Sequence, residues 1–145
     1  MTWIADVMAI AIGGAGGAIM RYGITAAVMT ATARAWLSPI ARPIGGPSAL
    51  GTTAANLIGC ALLGGLIAYS SILAEPSSAS PRLILMIRVG FLGSLTTLST
   101  WIAEMVLLGQ SGRWSAVVWL LLVNVILGTL TLLVGMGTVR TWMTT

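Results

Sequence analysis

Gly90-Phe91-Leu92-Gly93-Ser94-Leu95-Thr96-Thr97-Leu98-Ser99-Thr100-Trp101 lies in the middle of a long apolar segment. It places two glycines and five hydroxyl side chains where a membrane helix is ordinarily aliphatic. Such a run weakens a helix at bilayer depth. Irregular backbone inside a membrane is tolerated only where it is buried in protein or lines a polar cavity. A break over Gly93–Thr97 releases carbonyls that can coordinate a cation. The half-helix that restarts near Thr97 then presents free N–H groups and a positive dipole end. The plainer alternative is a continuous helix whose hydroxyls bond back to the carbonyl four residues earlier. The glycine before the hydroxyl run favours the break.

The surrounding chain supplies the solvent. Of 145 residues, 57% are apolar and 7% charged, against about 25% charged in a soluble domain. This describes an all-α integral membrane protein, a single transmembrane domain over residues 1–145. All seven basic residues are arginine, and the net charge of +4 is spread too thinly for a nucleic-acid surface. Cys60 is the lone cysteine and there is no histidine, which excludes a disulfide framework and a Cys/His metal site. Ala31-Thr32-Ala33 resembles a cleavage site. The first charge, however, is acidic (Asp6), and the apolar run extends past Arg21. A retained membrane segment is therefore expected rather than a leader.

A spanning helix needs about 20 mostly apolar residues. Four segments qualify, at about 3–30, 48–73, 81–108 and 113–139. In the first, Gly13/Gly17 and Gly14/Ala18 are small pairs four apart, which admit another helix closely. In the second, Asn56, Cys60, Gly64 and Ala68 form one narrow stripe. These small faces are available for packing a dimer. Residues 31–47 and Glu75–Ser80 are loops rich in Pro, Gly or Ser, and Gly109-Gln110-Ser111-Gly112 is a tight turn. Ser80-Pro81 suits a helix start, with Ser as N-cap and Pro at the first position.

Four spans put both termini on one side. Arg34, Arg42 and Arg113 then face Arg82, Arg88 and Arg140, three against three, leaving aside Arg21. Orientation follows the arginine bias. Without a bias, insertion in both senses is expected, and with it an antiparallel homodimer. Four helices barely enclose a lumen, so a pair is the natural way to build a pathway.

Among single residues, Asn56 is the one amide of its span. It is either interhelical glue, worth about 0.6–2 kcal/mol, or a pore-lining donor to an anion. Arg21 either snorkels to the interface or attracts anions at a vestibule. Glu104, two turns beyond the break, is expected near the interface or paired, since a charge at mid-bilayer costs about 2.5–3.5 kcal/mol. Neither it nor Asp6 sits at the centre of a span, which argues against proton coupling. No enzyme constellation exists, because the chain has no histidine and its three acids are far apart.

Taken together, these pieces resemble the Fluc (CrcB) family of fluoride channels. Gly13-Gly14-Ala15-Gly16-Gly17-Ala18-Ile19-Met20-Arg21-Tyr22 is similar to the family's GGxxGAxxRY. Gly51-Thr52-Thr53-Ala54-Ala55-Asn56-Leu57-Ile58-Gly59 is similar to its GTxxxNxxG, and the opening stretch to its GxxGGxTTFSTF, with Glu104 following. The resemblance implies a dual-topology antiparallel homodimer with two narrow fluoride pores in a bacterial cell (inner) membrane. It implies a structural sodium ion at the dimer centre, held by the backbone carbonyls of Gly93 and Thr96. Asn56 would line the pore with Ser99 and Thr100 nearby. Function would be passive export of fluoride that enters the cell as its neutral acid and is trapped as the anion.

Leu98 and Trp101 stand where the family usually has phenylalanines whose positive ring edges face fluoride, and Ser94 replaces the second glycine. Leucine has no aromatic quadrupole; tryptophan keeps one and adds an N–H donor. Two other readings follow: a small dual-topology drug/proton antiporter, and a non-conducting subunit that needs a different, phenylalanine-bearing partner.

Overall fold

The computed structural model describes residues 2–72 and 80–144. Its elements are α1 (Thr2–Ala33), α2 (Ser38–Ala41), α3 (Pro47–Ile72), α4 (Pro81–Leu85), a π-helical stretch (Met86–Leu92), α5 (Gly93–Leu95), α6 (Leu98–Gln110), α7 (Trp114–Leu122), a second π-helical stretch (Val123–Leu127) and α8 (Gly128–Thr144). Four apolar spans result among the described residues: Trp3–Ala33, Pro47–Ile72, Pro81–Gln110 and Trp114–Thr144. Each is long and apolar enough to cross a bilayer, and the chain is a multi-pass membrane protein.

Backbone contact between glycines holds the spans together. A Cβ at Gly13 would collide with the carbonyl oxygen of Met86, one at Gly17 with that of Phe91, and one at Gly90 would stand 2.6 Å from the Ile10 carbonyl oxygen. The first and third spans therefore touch main chain to main chain. The second and fourth do the same. A Cβ at Gly64 would overlap the Leu132 carbonyl oxygen, and one at Gly135 the Ala61 carbonyl oxygen. In lipid no hydrophobic force draws helices together, so such close packing, with interhelical hydrogen bonds, supplies the cohesion. Few apolar side chains are fully buried, Leu95 and Leu120 being the largest, while Trp3, Ile19, Leu98, Trp119 and Val134 are exposed. That outward apolar surface is what a lipid-facing protein presents.

The small-residue faces of the first and second spans are thus partly filled within the chain, with Ala18 left exposed and Cys60 half-buried. Gly13 and Gly17 lie on the third span, and Gly64 lies on the fourth. The first span continues to Ala33 through Ala31-Thr32-Ala33, and the first loop contains α2, with Pro39 in its first turn. Ser80 does precede Pro81 at the start of α4, but its hydroxyl makes no capping hydrogen bond. Residues 73–79, including most of the second loop, lie outside the described residues.

Each end of the bundle carries one clasp. At one, the Arg113 guanidinium donates from Nη2 to the Arg42 carbonyl (2.9 Å) and from Nη1 to the Gly45 carbonyl (3.3 Å). This ties the third turn to the first loop. At the other, Arg82 Nε pairs with Asp6 Oδ1 at 3.0 Å, joining the starts of the third and first spans.

Candidate functional site

The centre of the molecule is the link between α5 and α6. Thr96 (φ −85°, ψ 148°) and Thr97 (φ −144°, ψ 108°) take extended dihedrals. In a continuous α-helix the Thr97 amide would donate to the Gly93 carbonyl and the Thr100 amide to the Thr96 carbonyl. Here the Thr97 amide donates to Asn56 Oδ1 (2.9 Å) and the Thr100 amide to Thr97 Oγ1 (3.2 Å). The carbonyls of Gly93 and Thr96 are released from α-helical pairing as a result. Thr96 Oγ1 bonds back to the Leu92 carbonyl at 3.0 Å, the local hydroxyl-to-backbone bond that competes with regular helix.

Thr97 is the N-cap of α6. Its hydroxyl accepts the Thr100 amide, donates to Thr100 Oγ1 at 2.9 Å and lies 3.4 Å from Ser99 Oγ. Replacing Thr97 by alanine removes this cap and is expected to cost about 1 kcal/mol. Thr97→Ser should retain most of it. Thermal midpoints followed by circular dichroism in detergent check the pair; equal midpoints for Thr97→Ala and wild type would show that the cap contributes nothing.

Asn56 is anchored at both ends. Its Oδ1 takes the Thr97 amide, and its Nδ2 donates to Asn124 Oδ1 at 3.1 Å. Asn124 in turn donates from Nδ2 to Thr53 Oγ1 and to the Leu120 carbonyl, both at 2.9 Å. One amide pair therefore joins the second, third and fourth spans. The second N–H of Asn56 Nδ2 donates to no described residue. The sequence reading left the polar residues of the fourth span unassigned. A signal existed: Asn56 and Asn124 are the only two asparagines of the chain, and an amide in lipid needs a partner. Asn124 also sits in the second π-helical stretch, a feature frequent at functional positions.

Glu104 meets hydroxyls rather than a cation. Its Oε1 accepts from Ser48 Oγ (2.8 Å) and Thr52 Oγ1 (3.0 Å), and its Oε2 is buried without a partner. The other positions singled out from sequence divide between inside and outside. Trp101 is half-buried, packs on the cluster of Ala49, Leu108, Ala116 and Leu120, and its Nε1 donates to the Leu120 carbonyl at 3.4 Å. Leu98 is 65% exposed, and Ser99 and Thr100 are exposed beside it. Arg21, at mid-length of α1, is half-buried and has no hydrogen bond or ion pair among the described residues. No hydrogen bond joins it to the Thr97 cluster among the described residues.

With this geometry in hand, comparison with known proteins is informative. Residues 8–136 match the family described as CrcB-like protein, Camphor Resistance (CrcB). The fluoride-specific ion channel FluC of Rhodopirellula baltica is 41% identical over 151 aligned positions, which cover 98% of this chain and 99% of that protein. The protein of the same name from Salinibacter ruber is 40% identical, covering 88% of this chain and 84% of its own length. The one from Shewanella frigidimarina is 33% identical, with 84% and 86% covered.

Proposed function

This chain belongs to the CrcB family, and we propose that it forms a fluoride-selective channel that lets cytoplasmic fluoride leave the cell passively. The observation that carries this reading is the match along 98% of the chain to a relative named as a fluoride-specific ion channel. We place it in the inner membrane of a bacterial cell.

The geometry supplies a physical account. We take the extended link at Thr96–Thr97 as an interruption of the third span at bilayer depth. The N-terminus of α6, a 13-residue helix, then puts the positive end of its dipole beside the exposed Ser99 and Thr100 hydroxyls. The Asn56 amide has one N–H to spare. Hydroxyl and amide donors of this kind replace the hydration shell of a small anion as it enters. Arg21 draws anions toward the vestibule. Leu98, Ser99 and Thr100 face outward from the single chain, so the path they line needs a second wall. An antiparallel copy of the same chain provides it, in keeping with the even division of arginines across the two sides.

The carbonyls of Gly93 and Thr96 suit a hard cation, since their α-helical donors have gone to Asn56 and to the Thr97 hydroxyl. We assign them as the ligands of a structural sodium ion where the two chains cross. Bound there, the ion supplies positive charge that holds two carbonyl-rich backbones together.

The exposed Leu98 favours one alternative, a non-conducting subunit whose aromatic ring comes from a different partner. The antiporter reading has less support, because Asp6, the acid nearest the mouth of the first span, is taken up by Arg82. Fluoride efflux from liposomes holding the pure protein separates these readings. Rapid fluoride loss with chloride excluded is the expected result. Absence of any flux would favour the partner-subunit reading. Proton-driven efflux of a cationic dye without fluoride movement would overturn the channel.

A further inference from the structure

Arg88 is the one charge of the third span without a hydrogen-bond or ion-pair partner among the described residues. It lies on the π-helical stretch, inside the apolar span Pro81–Gln110, and is exposed. It makes no hydrogen bond or ion pair among the described residues. The two described acids are engaged elsewhere, Asp6 with Arg82 and Glu104 with Ser48 and Thr52. A guanidinium with five N–H donors is costly in an apolar span unless it finds acceptors. Arg88 borders two cavities, one of about 310 Å³ shared with Gly93, Thr96, Gly59 and Cys60, and one of about 420 Å³ shared with Ser70 and Ser71. The smaller cavity thus brings together an arginine without a partner among the described residues and the two residues whose carbonyls have lost their helical donors.

We propose that the Arg88 guanidinium is a tethered cation for the carbonyls of Gly93 and Thr96, and that it competes there with sodium. This rests on the reading of those carbonyls as the central cation site. In an antiparallel pair the two-fold axis brings two such arginines to one site, one from each side. Each satisfies released carbonyls when sodium is absent, and each must withdraw or be repelled when it binds. A unit charge within roughly 10 Å, at an effective dielectric of about 20, alters an affinity by about tenfold. The chain therefore needs more sodium to fill the site than it would with a neutral residue at this position.

The test is the thermal midpoint of the purified full-length protein in detergent. Sodium chloride is titrated against N-methylglucamine chloride at constant ionic strength, for wild type, Arg88→Met and Arg88→Gln. Arg88 is exposed, so neither variant creates a cavity; Gln also keeps a polar head should Met impair insertion. The expected result is a half-saturating sodium concentration about a hundredfold lower in both variants, about tenfold for each of the two arginines lost, with a lower midpoint than wild type in sodium-free buffer. Equal half-saturation in all three overturns the competition and leaves the cation site standing. No response to sodium in any of the three overturns the cation site itself. Variants destabilised equally at every sodium concentration place the Arg88 partner elsewhere and also overturn the proposal.

Discussion

Asn56→Ala is expected to reduce fluoride flux by roughly 10- to 150-fold while leaving a dimer. A hydrogen bond to a charged group is worth about 1.5–3 kcal/mol, and each 1.36 kcal/mol of barrier is about tenfold in rate. The substitution also frees the Thr97 amide and one side of Asn124, so the start of α6 loses its anchor as well as its donor. Interhelical bonds of this kind carry about 0.6–2 kcal/mol, which lowers the thermal midpoint without dismantling the bundle. Asn56→Asp separates the two roles. It keeps an acceptor for the Thr97 amide, loses both N–H donors and adds a charge that repels anions. A folded Asn56→Asp protein without flux is the expected companion result. Wild-type flux in a dimeric Asn56→Ala would sink the pore assignment; a monomeric or unfolded product would reduce Asn56 to glue. Liposome efflux and size-exclusion chromatography together read out both.

Gly64→Ala is expected to prevent recovery of a monodisperse protein, or to lower its stability by about 3 kcal/mol or more. Overpacking usually costs about 1–3 kcal/mol, with higher values where nothing can yield. Here the added methyl would meet the carbonyl oxygen, carbonyl carbon and Cα of Leu132, and main chain cannot rotate away as a side chain can. Gly137→Ala is the control. Its Cβ would meet nothing within 4 Å, so a change within about 0.5 kcal/mol is expected. Gly→Ala raises helix propensity, so propensity cannot account for a loss, and comparable loss at both positions, measured by thermal aggregation in detergent, would show that interspan contact at Gly64 does not govern the effect.

The spans were legible in the sequence because bilayer thickness sets their length and apolar composition sets their place. Proline, glycine and serine clusters located the loops for the same local reason. Gly13, Gly17 and Gly64 were legible as close-approach positions but not as to their partner. A small residue states only that something comes near. The tertiary structure then set the third span against Gly13 and Gly17 and the fourth against Gly64. Glu104 was expected near the interface or paired, yet its partners, Ser48 and Thr52, are hydroxyls that no charge count could single out. Asn124 shows the same limit, since its pairing with Asn56 bridges the second and fourth spans.

The sequence by itself determined the solvent, the number of spans and the place where hydroxyls crowd the third one. These follow from residue-level properties that need no neighbour. Only the tertiary structure decided what the backbone does at Thr96 and Thr97. A threonine amide leaves its helical carbonyl only if a better acceptor is held in front of it. That acceptor, Asn56 Oδ1, comes from another span and is itself held by Asn124 from a third.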